Sequence, residues 1–260
     1  MMTESTHFHA WRTLREGVAT VFADRRWPIK VAIGGGLMLT ILGVIFPQGL
    51  VIEHLENSRR GFRTPLPAWR QWGDKAVMGL LAVVFDFVYF IFPLLCTALL
   101  LFCAILPLIF GENASSGFVS SVIIAALGCM LLLSFSLSLS PLAKVNFSKD
   151  GDIESNVGFR LIRRAFSPLT RDLYWRARAV TLPLYLPSLI SGWLFAYVVQ
   201  RLNSPMWLIV LLAWLMLSTI FWAWLVVAQV YLAATDIADE REIDQRLAER
   251  RKALSNEQSS

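Results

Sequence analysis

The sequence predicts an all-α polytopic membrane protein with four transmembrane helices, an N-terminal re-entrant hairpin (or fifth span) and interfacial amphipathic helices. Hydrophobic residues make up 56% of the 260 residues and charged residues only 17%, whereas about a quarter of the residues in a soluble domain are charged. The apolar residues collect in blocks of roughly 20 or more, the length that a bilayer core requires. Lysines and arginines lie between these blocks, as the positive-inside rule predicts for cytoplasmic loops.

The N-terminal segment, residues 1–28, is predicted to be an interfacial amphipathic helix. Apolar residues recur in it at helical spacing, and Arg12 and Arg15 lie on the opposite side. A helix with an apolar stripe and a basic face is typical of a segment that lies in the membrane interface. The stripe consists of Phe8, Trp11, Leu14, Val18, Val21 and Phe22.

The first apolar block, residues 29–52, poses a question of topology. Five lysines and arginines lie in the first 30 residues and five more in residues 53–75, so both flanks of the block are basic. If the block crossed the bilayer once, one basic flank would lie outside, against the positive-inside rule. Gly43 and Pro47 allow a turn within the block. We therefore favour a re-entrant hairpin, which tolerates irregular backbone where protein covers it, with a fifth span as the alternative.

The rest of the chain is predicted to alternate membrane spans with basic cytoplasmic segments. Together with the first block, the spans form a membrane domain over residues 29–234, and both termini lie in the cytoplasm. The predicted spans are residues 76–110 (kinked at Pro93), 117–140, 180–199 and 206–234. The cytoplasmic segments are an amphipathic stretch at 141–178, which carries eight lysines and arginines, and a charged helical tail at 235–260.

Candidate functional residues lie within two of the predicted spans. Asp86 is the one ionisable side chain deep in a span and has no lysine, arginine or histidine partner within the apolar blocks. An acidic group in a membrane indicates an ion or proton pathway, but a protonated carboxyl that is hydrogen-bonded inside the bundle is the alternative. Tyr89 follows one turn later, and Ser134 and Ser138 are stacked one turn apart in a serine-rich run that ends at Ser140. We group Asp86, Tyr89, Ser134 and Ser138 as a candidate intramembrane polar site.

A second feature is a stripe of small residues on the span at 180–199. Ser188, Gly192 and Ala196 are spaced four residues apart, which allows another helix to approach closely. The stripe therefore predicts helix packing. Pro183 and Pro187 are expected to bend the first half of the same span.

The sequence predicts no catalytic residue, no cofactor and no metal site. The three cysteines, Cys96, Cys103 and Cys129, lie in apolar runs without a CxxC spacing. The sequence contains no HExxH motif, nucleophile elbow or glycine-rich phosphate loop. We therefore expect a protein that is not an enzyme. The basic residues flank apolar blocks instead of forming a patch on a soluble face, which argues against a nucleic-acid partner.

Two motifs resemble those of the DUF4013 family, an uncharacterised family of prokaryotic integral membrane proteins. The first is Asp24, Trp27 and Lys30 followed by Gly34–Gly36, like the family's D-x-x-W-x-x-K and paired glycine. The second comprises Leu66, Pro67, Ala68, Trp69, Trp72, Gly73, Asp74 and Gly79, and Tyr89 with Pro93 is similar to the family's Y-x-x-P variants but has one more residue between the two. The resemblance covers residues 18–235, although Leu50 stands where the family has tyrosine. It implies a cytoplasmic (inner) membrane protein without an assigned activity or site.

Two functions remain open on the sequence. The first is a non-enzymatic membrane subunit or scaffold with its basic surface facing the cytoplasm, which the apolar spans and the small-residue stripe favour. The alternative is a small transporter or channel that uses Asp86 and the Gly/Pro-interrupted first block, because discontinuous helices often form substrate sites. The expected partners are the lipid bilayer and, as candidates, other membrane proteins or a second copy. A membrane-embedded enzyme that acts on lipid ranks last.

Overall fold

The computed structural model describes residues 8–40, 42–91, 139–153, 158–201 and 205–259, and the single positions 94, 95, 98, 99, 102, 128 and 156. Within this part of the chain all regular structure is helical, which confirms the all-α fold class. The helices are α1 (Ala10–Phe22), α2 (Trp27–Met38), α3 (Ile45–Arg59), α4 (Trp72–Asp86), α5 (residues 139–150), α6 (Phe159–Phe166), α7 (Arg171–Thr181), α8 (Leu186–Val199) and α9 (Met206–Ser259). Short 3₁₀ segments lie at Leu42–Val44 and Leu182–Tyr185, and a π-helical turn at Phe87–Ile91 follows α4.

The long helix α9 is the element on which the others assemble. Helices α1, α2, α3, α7 and α8 all pack against it. Its apolar half contributes fully buried side chains, among them Phe221, Leu225 and Val230. The helix then continues without interruption into the charged tail, as the sequence predicted, and residues 243–256 are exposed.

Two helical segments are long and apolar enough to cross a bilayer. Arg171–Val199 comprises 29 residues with a mean hydropathy of 1.5 in its most apolar part, and Met206–Asn256 comprises 51 residues with a value of 2.2. The predicted spans 180–199 and 206–234 fall within them. The span 76–110 is described continuously only as far as Ile91, and Pro93 and most of the span 117–140 lie outside the described residues, so the number of four spans stays a prediction.

The first apolar block is broken into two helices. Helix α2 ends at Met38 and α3 begins at Ile45, so the break falls at Gly43, where the sequence predicted a turn. The Gly43 amide is bonded to the Thr40 carbonyl at 2.9 Å, and a Cβ at Gly43 would collide with the Leu37 carbonyl. This position therefore requires glycine.

The two flanks of the same block contact each other. Lys30 donates from Nζ to the Leu66 carbonyl oxygen at 2.7 Å, and Trp69 donates from Nε1 to the Lys30 carbonyl oxygen at 3.1 Å. Lys30 also forms an ion pair with Asp24. The chain thus leaves this point along α2 and returns to it after α3.

Replacing Asp24 with asparagine is expected to lower stability at pH 7 by about 1 kcal/mol or less and to have no effect once the pH lies below the folded pKa of Asp24. Burial alone would raise the pKa of Asp24, but the Lys30 ammonium and the Arg26 amide hold the pKa below the usual 3.8. Because the folded pKa is lowered, the stabilisation is present above about pH 4 and is lost as the pH falls through the folded pKa. Thermal unfolding of both proteins over this pH range measures the difference. A difference that does not change with pH would contradict the prediction.

Helices α3 and α4 approach each other at two glycines. A Cβ at Gly49 would overlap the backbone carbonyl of Lys75, and a Cβ at Gly79 would overlap that of Ile45. The two backbones are therefore in direct contact, as in small-residue packing of membrane helices. The glycines of α2 play a similar role, since Gly35 lies directly against Ser218 of α9.

Candidate functional site

The Asp86 carboxylate lies at the C-terminus of α4, where side chains from α3 and α5 converge on it. Gln48 donates from Nε2 to Oδ2 at 2.7 Å, and the Ser140 hydroxyl donates to Oδ1. Lys144 Nζ lies 2.8 Å from Oδ1 and donates to Oδ2 at 2.9 Å, which makes a salt bridge. Asp86, Gln48, Ser140 and Lys144 are called the ion-pair cluster below.

The prediction that Asp86 lacks a cationic partner is wrong, because Lys144 is that partner. The apolar pattern predicted that the third span ends at Ser140, in front of Pro141, and that Lys144 belongs to a cytoplasmic segment. In the structure α5 continues through Pro141, and residues 142–147 are buried. Ser140 and Lys144 are four residues apart and therefore lie on the same helix face. That spacing, with the apolar residues around Lys144, was the signal in the sequence.

Both charged side chains of the cluster, Asp86 and Lys144, have hydrogen-bond partners within it. Gln48 donates to Asp86 and accepts from Lys144 through Oε1 at 2.8 Å, so one amide bridges both ions. Lys144 also lies 5.6 Å from the centre of the Trp224 ring of α9, within the range of a cation–π interaction. A buried ion pair persists only when further hydrogen bonds offset its desolvation. The amide bridge and the Ser140 hydroxyl supply these bonds.

A cavity of about 750 Å³ adjoins the ion-pair cluster. Its polar lining residues are Asp86, Ser140, Lys144, Arg178, Tyr185 and Ser188. Its other described lining residues are almost all apolar: Val51, Pro141, Leu182, Leu189, Gly192, Trp193, Met216, Ile220, Trp224, Val227 and Ala228. The volume lies in the range of small-molecule sites, and so does the combination of apolar walls with a few polar groups.

The cavity follows α9 over several turns. Lining residues of α9 run from Met216 to Ala228, about 18 Å along a helix. Gly192 of α8 lies against Met216, since a Cβ there would sit 3.2 Å from the Met216 sulfur. Lys144 lies beside Trp224, two turns further along α9. The cavity therefore has an apolar end near Met216 and a charged end near Trp224.

Arg178 of α7 is a second cation on this cavity, although its position in the sequence predicted a cytoplasmic arginine. Its side chain is buried, with 2% of the residue exposed. Its guanidinium carbon lies 6.0 Å from the centre of the Tyr185 ring. The sequence carried no local signal for this burial, because Arg178 precedes the apolar block at 180–199 and resembles a flanking charge.

The remaining predicted site residues occupy separate places. Tyr89 is buried away from the cavity lining, and its hydroxyl donates to the Asn156 carbonyl oxygen at 2.7 Å. Ser134 and Ser138 lie outside the described residues, as do Cys96, Cys103 and Cys129. The structure thus brings Asp86 together with Ser140 of the same serine-rich run.

The predicted packing stripe on α8 has mixed surroundings. Ser188 lines the cavity, and its hydroxyl donates to the Tyr185 carbonyl oxygen at 2.7 Å. Gly192 lies against Met216 of α9, whereas Ala196 is exposed. The close approach of α8 to α9 is thus centred on Gly192.

A separate group of ion pairs joins α5, α6 and α7 to the charged half of α9. Arg164 pairs with Asp239 and, at 2.9 Å, with Glu242. Lys149 also pairs with Asp239, at 2.5 Å. Several charges share partners in this group, so it holds the segment between α5 and α7 against α9 more firmly than an isolated surface pair would.

The two motifs that carry the family resemblance meet in the structure, because Lys30 of the first contacts Leu66 and Trp69 of the second. A model of the family described as DUF4013, protein of unknown function, matches residues 33–230. This match lies within the predicted range of 18–235. No curated protein and no solved structure is significantly similar to the chain. Since the match spans most of the 260 residues, the chain belongs to the DUF4013 family.

Proposed function

We propose that this protein is a multi-pass membrane carrier that binds a small solute in the cavity beside Asp86 and Lys144 and moves it across the prokaryotic cytoplasmic membrane. The observation that carries the proposal is the position of the ion-pair cluster on the wall of a 750 Å³ cavity. A buried acid that faces a closed helix interface serves packing alone. An acid on a cavity wall is available to a solute.

Membrane embedding is supported by the apolar surface of α8 and α9. Leu189 and Trp193 are 65% and 67% exposed, and Leu211 and Leu215 are exposed as well. Large exposed apolar side chains on long apolar helices favour contact with lipid. The basic segments at 53–75 and 141–178 favour an orientation with both termini in the cytoplasm.

A re-entrant hairpin for residues 29–52 is part of the proposal. It is supported by the break at Gly43 and by the bonds that join Lys30 to Leu66 and Trp69. Contact between the start of the block and the segment that follows it favours an arrangement in which both basic flanks face the cytoplasm. The membrane domain then consists of this hairpin and the four predicted spans.

The ion-pair cluster suits reversible binding of a solute. Asp86 and Lys144 neutralise each other, so the empty site carries little net charge from this pair into a medium of low dielectric constant. The Asp86 side chain is still 28% exposed, and a polar solute can therefore compete for its hydrogen bonds. The proposed activity is binding and translocation without chemical conversion of the solute.

A membrane subunit or scaffold is the second candidate function. It is favoured by the end of α9, where Ile243, Leu247 and Leu254 are exposed on a helix that extends beyond the packed part of the protein. A partner protein or a second copy could bind along this seam. In that case the cavity would have no need to open to water.

Cysteine accessibility distinguishes the two functions. After replacement of the three native cysteines, Ser188→Cys places a thiol on the cavity wall, and Ser191→Cys is a matched control on the same helix. Both serines are buried, at 6% and 4% exposed, but Ser191 is absent from the cavity lining. In proteoliposomes we expect a membrane-impermeant thiosulfonate to modify the thiol at 188 from either side and to leave the thiol at 191 unmodified.

The other outcomes are equally informative. Modification of the thiol at 188 from one side only would contradict translocation and restrict the function to binding. A thiol that is unreactive from both sides would contradict an open solute site and favour the scaffold. Addition of a solute that binds the cavity should protect the thiol at 188.

A further inference from the structure

The described lining of the cavity carries more positively than negatively charged side chains. Asp86 and Lys144 form an ion pair, and Arg178 is a third charged group on the same lining. Among the described residues no carboxylate lies within 4 Å of the Arg178 guanidinium, and its Nε has no hydrogen-bond partner. Arginine is a cation in proteins, so the described lining of the cavity carries one uncompensated positive charge.

A guanidinium in this state indicates a missing anion. Arg178 is 98% buried, given an exposed fraction of 2%, and the Tyr185 side chain beside it supplies an aromatic face and a hydrogen-bonding hydroxyl but no negative charge. A buried charge without a partner costs several kcal/mol unless a counter-ion is supplied. The planar fork of arginine matches the oxygens of a carboxylate or a phosphate.

The walls of the cavity define the rest of the ligand. Leu189, Met216 and Ile220 present an apolar surface away from the ion-pair cluster. Leu189 and Trp193 both line the cavity and are largely exposed on α8, so the cavity adjoins the proposed lipid-facing surface. A hydrophilic anion would gain nothing from these walls, whereas an alkyl chain would be removed from water along about 18 Å of α9.

We infer that the cavity binds a single-chain amphipathic anion, whose carboxylate or phosphate headgroup pairs with Arg178 and whose apolar chain lies between α8 and α9. This inference rests on the proposed function and names the class of solute. One negative charge on the ligand balances the charge of Arg178. The volume of 750 Å³ accommodates one alkyl chain with its headgroup.

The test uses three brominated probes of equal chain length and the purified protein in lipid nanodiscs. The probes are 11-bromoundecanoate, 11-bromoundecyl phosphate and the neutral 11-bromoundecanol. Bromine quenches tryptophan fluorescence at short range, and Trp193 and Trp224 both line the cavity. The part of the quenching that disappears in the Trp193→Phe variant comes from Trp193, and it therefore shows that the alkyl chain of the probe lies beside α8.

The variants are Arg178→Gln and, as a matched control, Arg176→Gln, which removes an exposed arginine two positions earlier in α7. In the wild type we expect at least one anionic probe to bind about tenfold more tightly than the alcohol. Arg178→Gln should abolish that preference without weakening binding of the alcohol, and Arg176→Gln should leave all affinities unchanged. Arg178→Lys, which keeps the charge but loses the fork, should retain part of the preference.

Whichever anionic probe binds more tightly shows whether the headgroup of the ligand is a carboxylate or a phosphate. The inference is overturned if the alcohol binds the wild type as tightly as both anions, or if Arg178→Gln retains the preference. If none of the probes quenches Trp193 and the thiol at 188 is unreactive, the proposed function fails together with the inference. Quenching without a preference for anions overturns the inference alone. Because Arg178→Gln removes an unpaired buried charge, its ligand-free melting temperature should equal or exceed that of the wild type.

Discussion

Replacement of Lys144 with methionine is expected to destabilise the protein by about 3–5 kcal/mol, the cost of leaving a partly buried carboxylate without its counter-ion. Methionine has nearly the length of lysine, so the apolar part of the side chain can still pack against Trp224. The substitution then removes the salt bridge to Asp86 and the hydrogen bond that Lys144 donates to Gln48 Oε1. Unfolding in a detergent of fixed composition measures the change in free energy.

Lys149→Met is the matched control for this substitution. Lys149 lies on the same helix, but its side chain is 48% exposed and it pairs with Asp239 at the surface. Its removal should cost about 1 kcal/mol or less. The double variant Asp86→Asn, Lys144→Met should recover much of the lost stability, because no unpaired charge remains. Equal effects of the two lysine variants would show that the ion pair does not stabilise the cluster.

Gly79→Ala is expected to be the second strongly destabilising change, although it adds only one methyl group. The added Cβ would overlap the Ile45 carbonyl oxygen and approach the Gly49 amide nitrogen. Both are backbone atoms of α3, so no side chain can rotate away, and α3 and α4 must separate. Overpacking of this kind costs about 1–3 kcal/mol or more.

Gly73→Ala on the same helix should have the opposite sign. Nothing lies within 4 Å of a Cβ at Gly73, and alanine in a helix is more stable than glycine by roughly 0.5–1 kcal/mol. Comparison of the two variants by thermal unfolding therefore separates the effect of helix propensity from that of the backbone contact. A stabilised Gly79→Ala protein would show that α3 and α4 are not held in contact at this glycine.

The sequence predicted those parts of the fold that depend on local patterns. Short stretches of the chain predicted the apolar helix α9 with its charged extension and an interruption near Gly43, and the structure has both the long helix and the helix break. The helix break lies at a glycine whose Cβ would collide with the Leu37 carbonyl, and the long helix follows from a run of apolar residues and then of charged ones. These signals need no knowledge of what packs against them.

The candidate site was predicted only in part, because its partners come from distant segments. Asp86 could be singled out as an acid in an apolar block, but Gln48 and Lys144 lie 38 and 58 positions away from it. A local rule placed the end of a span at Pro141, since proline disfavours a helix interior. Burial of Leu142, Ala143 and Val145, each 0% exposed, outweighs that preference in the structure.

Arg178 shows a different limit of sequence reasoning. The positive-inside rule counts charges beside apolar blocks and treats each of them as solvated. Arg178 satisfies the rule by position, yet its side chain turns into the cavity and not toward the aqueous phase. The direction of a long side chain depends on the tertiary packing of α7, and a count of charges contains no such information.

Because α9 is continuous, it connects the cavity mechanically to the exposed, charged end of the same helix. From Trp224, which lies beside Lys144, to Ser259 the helix extends about 52 Å. A tilt of about 5° around Trp224 would move the last turn by about 5 Å, an amplitude typical of mechanical coupling between a ligand site and a distant surface. A small tilt of α9 at the cavity wall, one that leaves its packing against α8 intact, would therefore displace the far end of this helix by several ångströms.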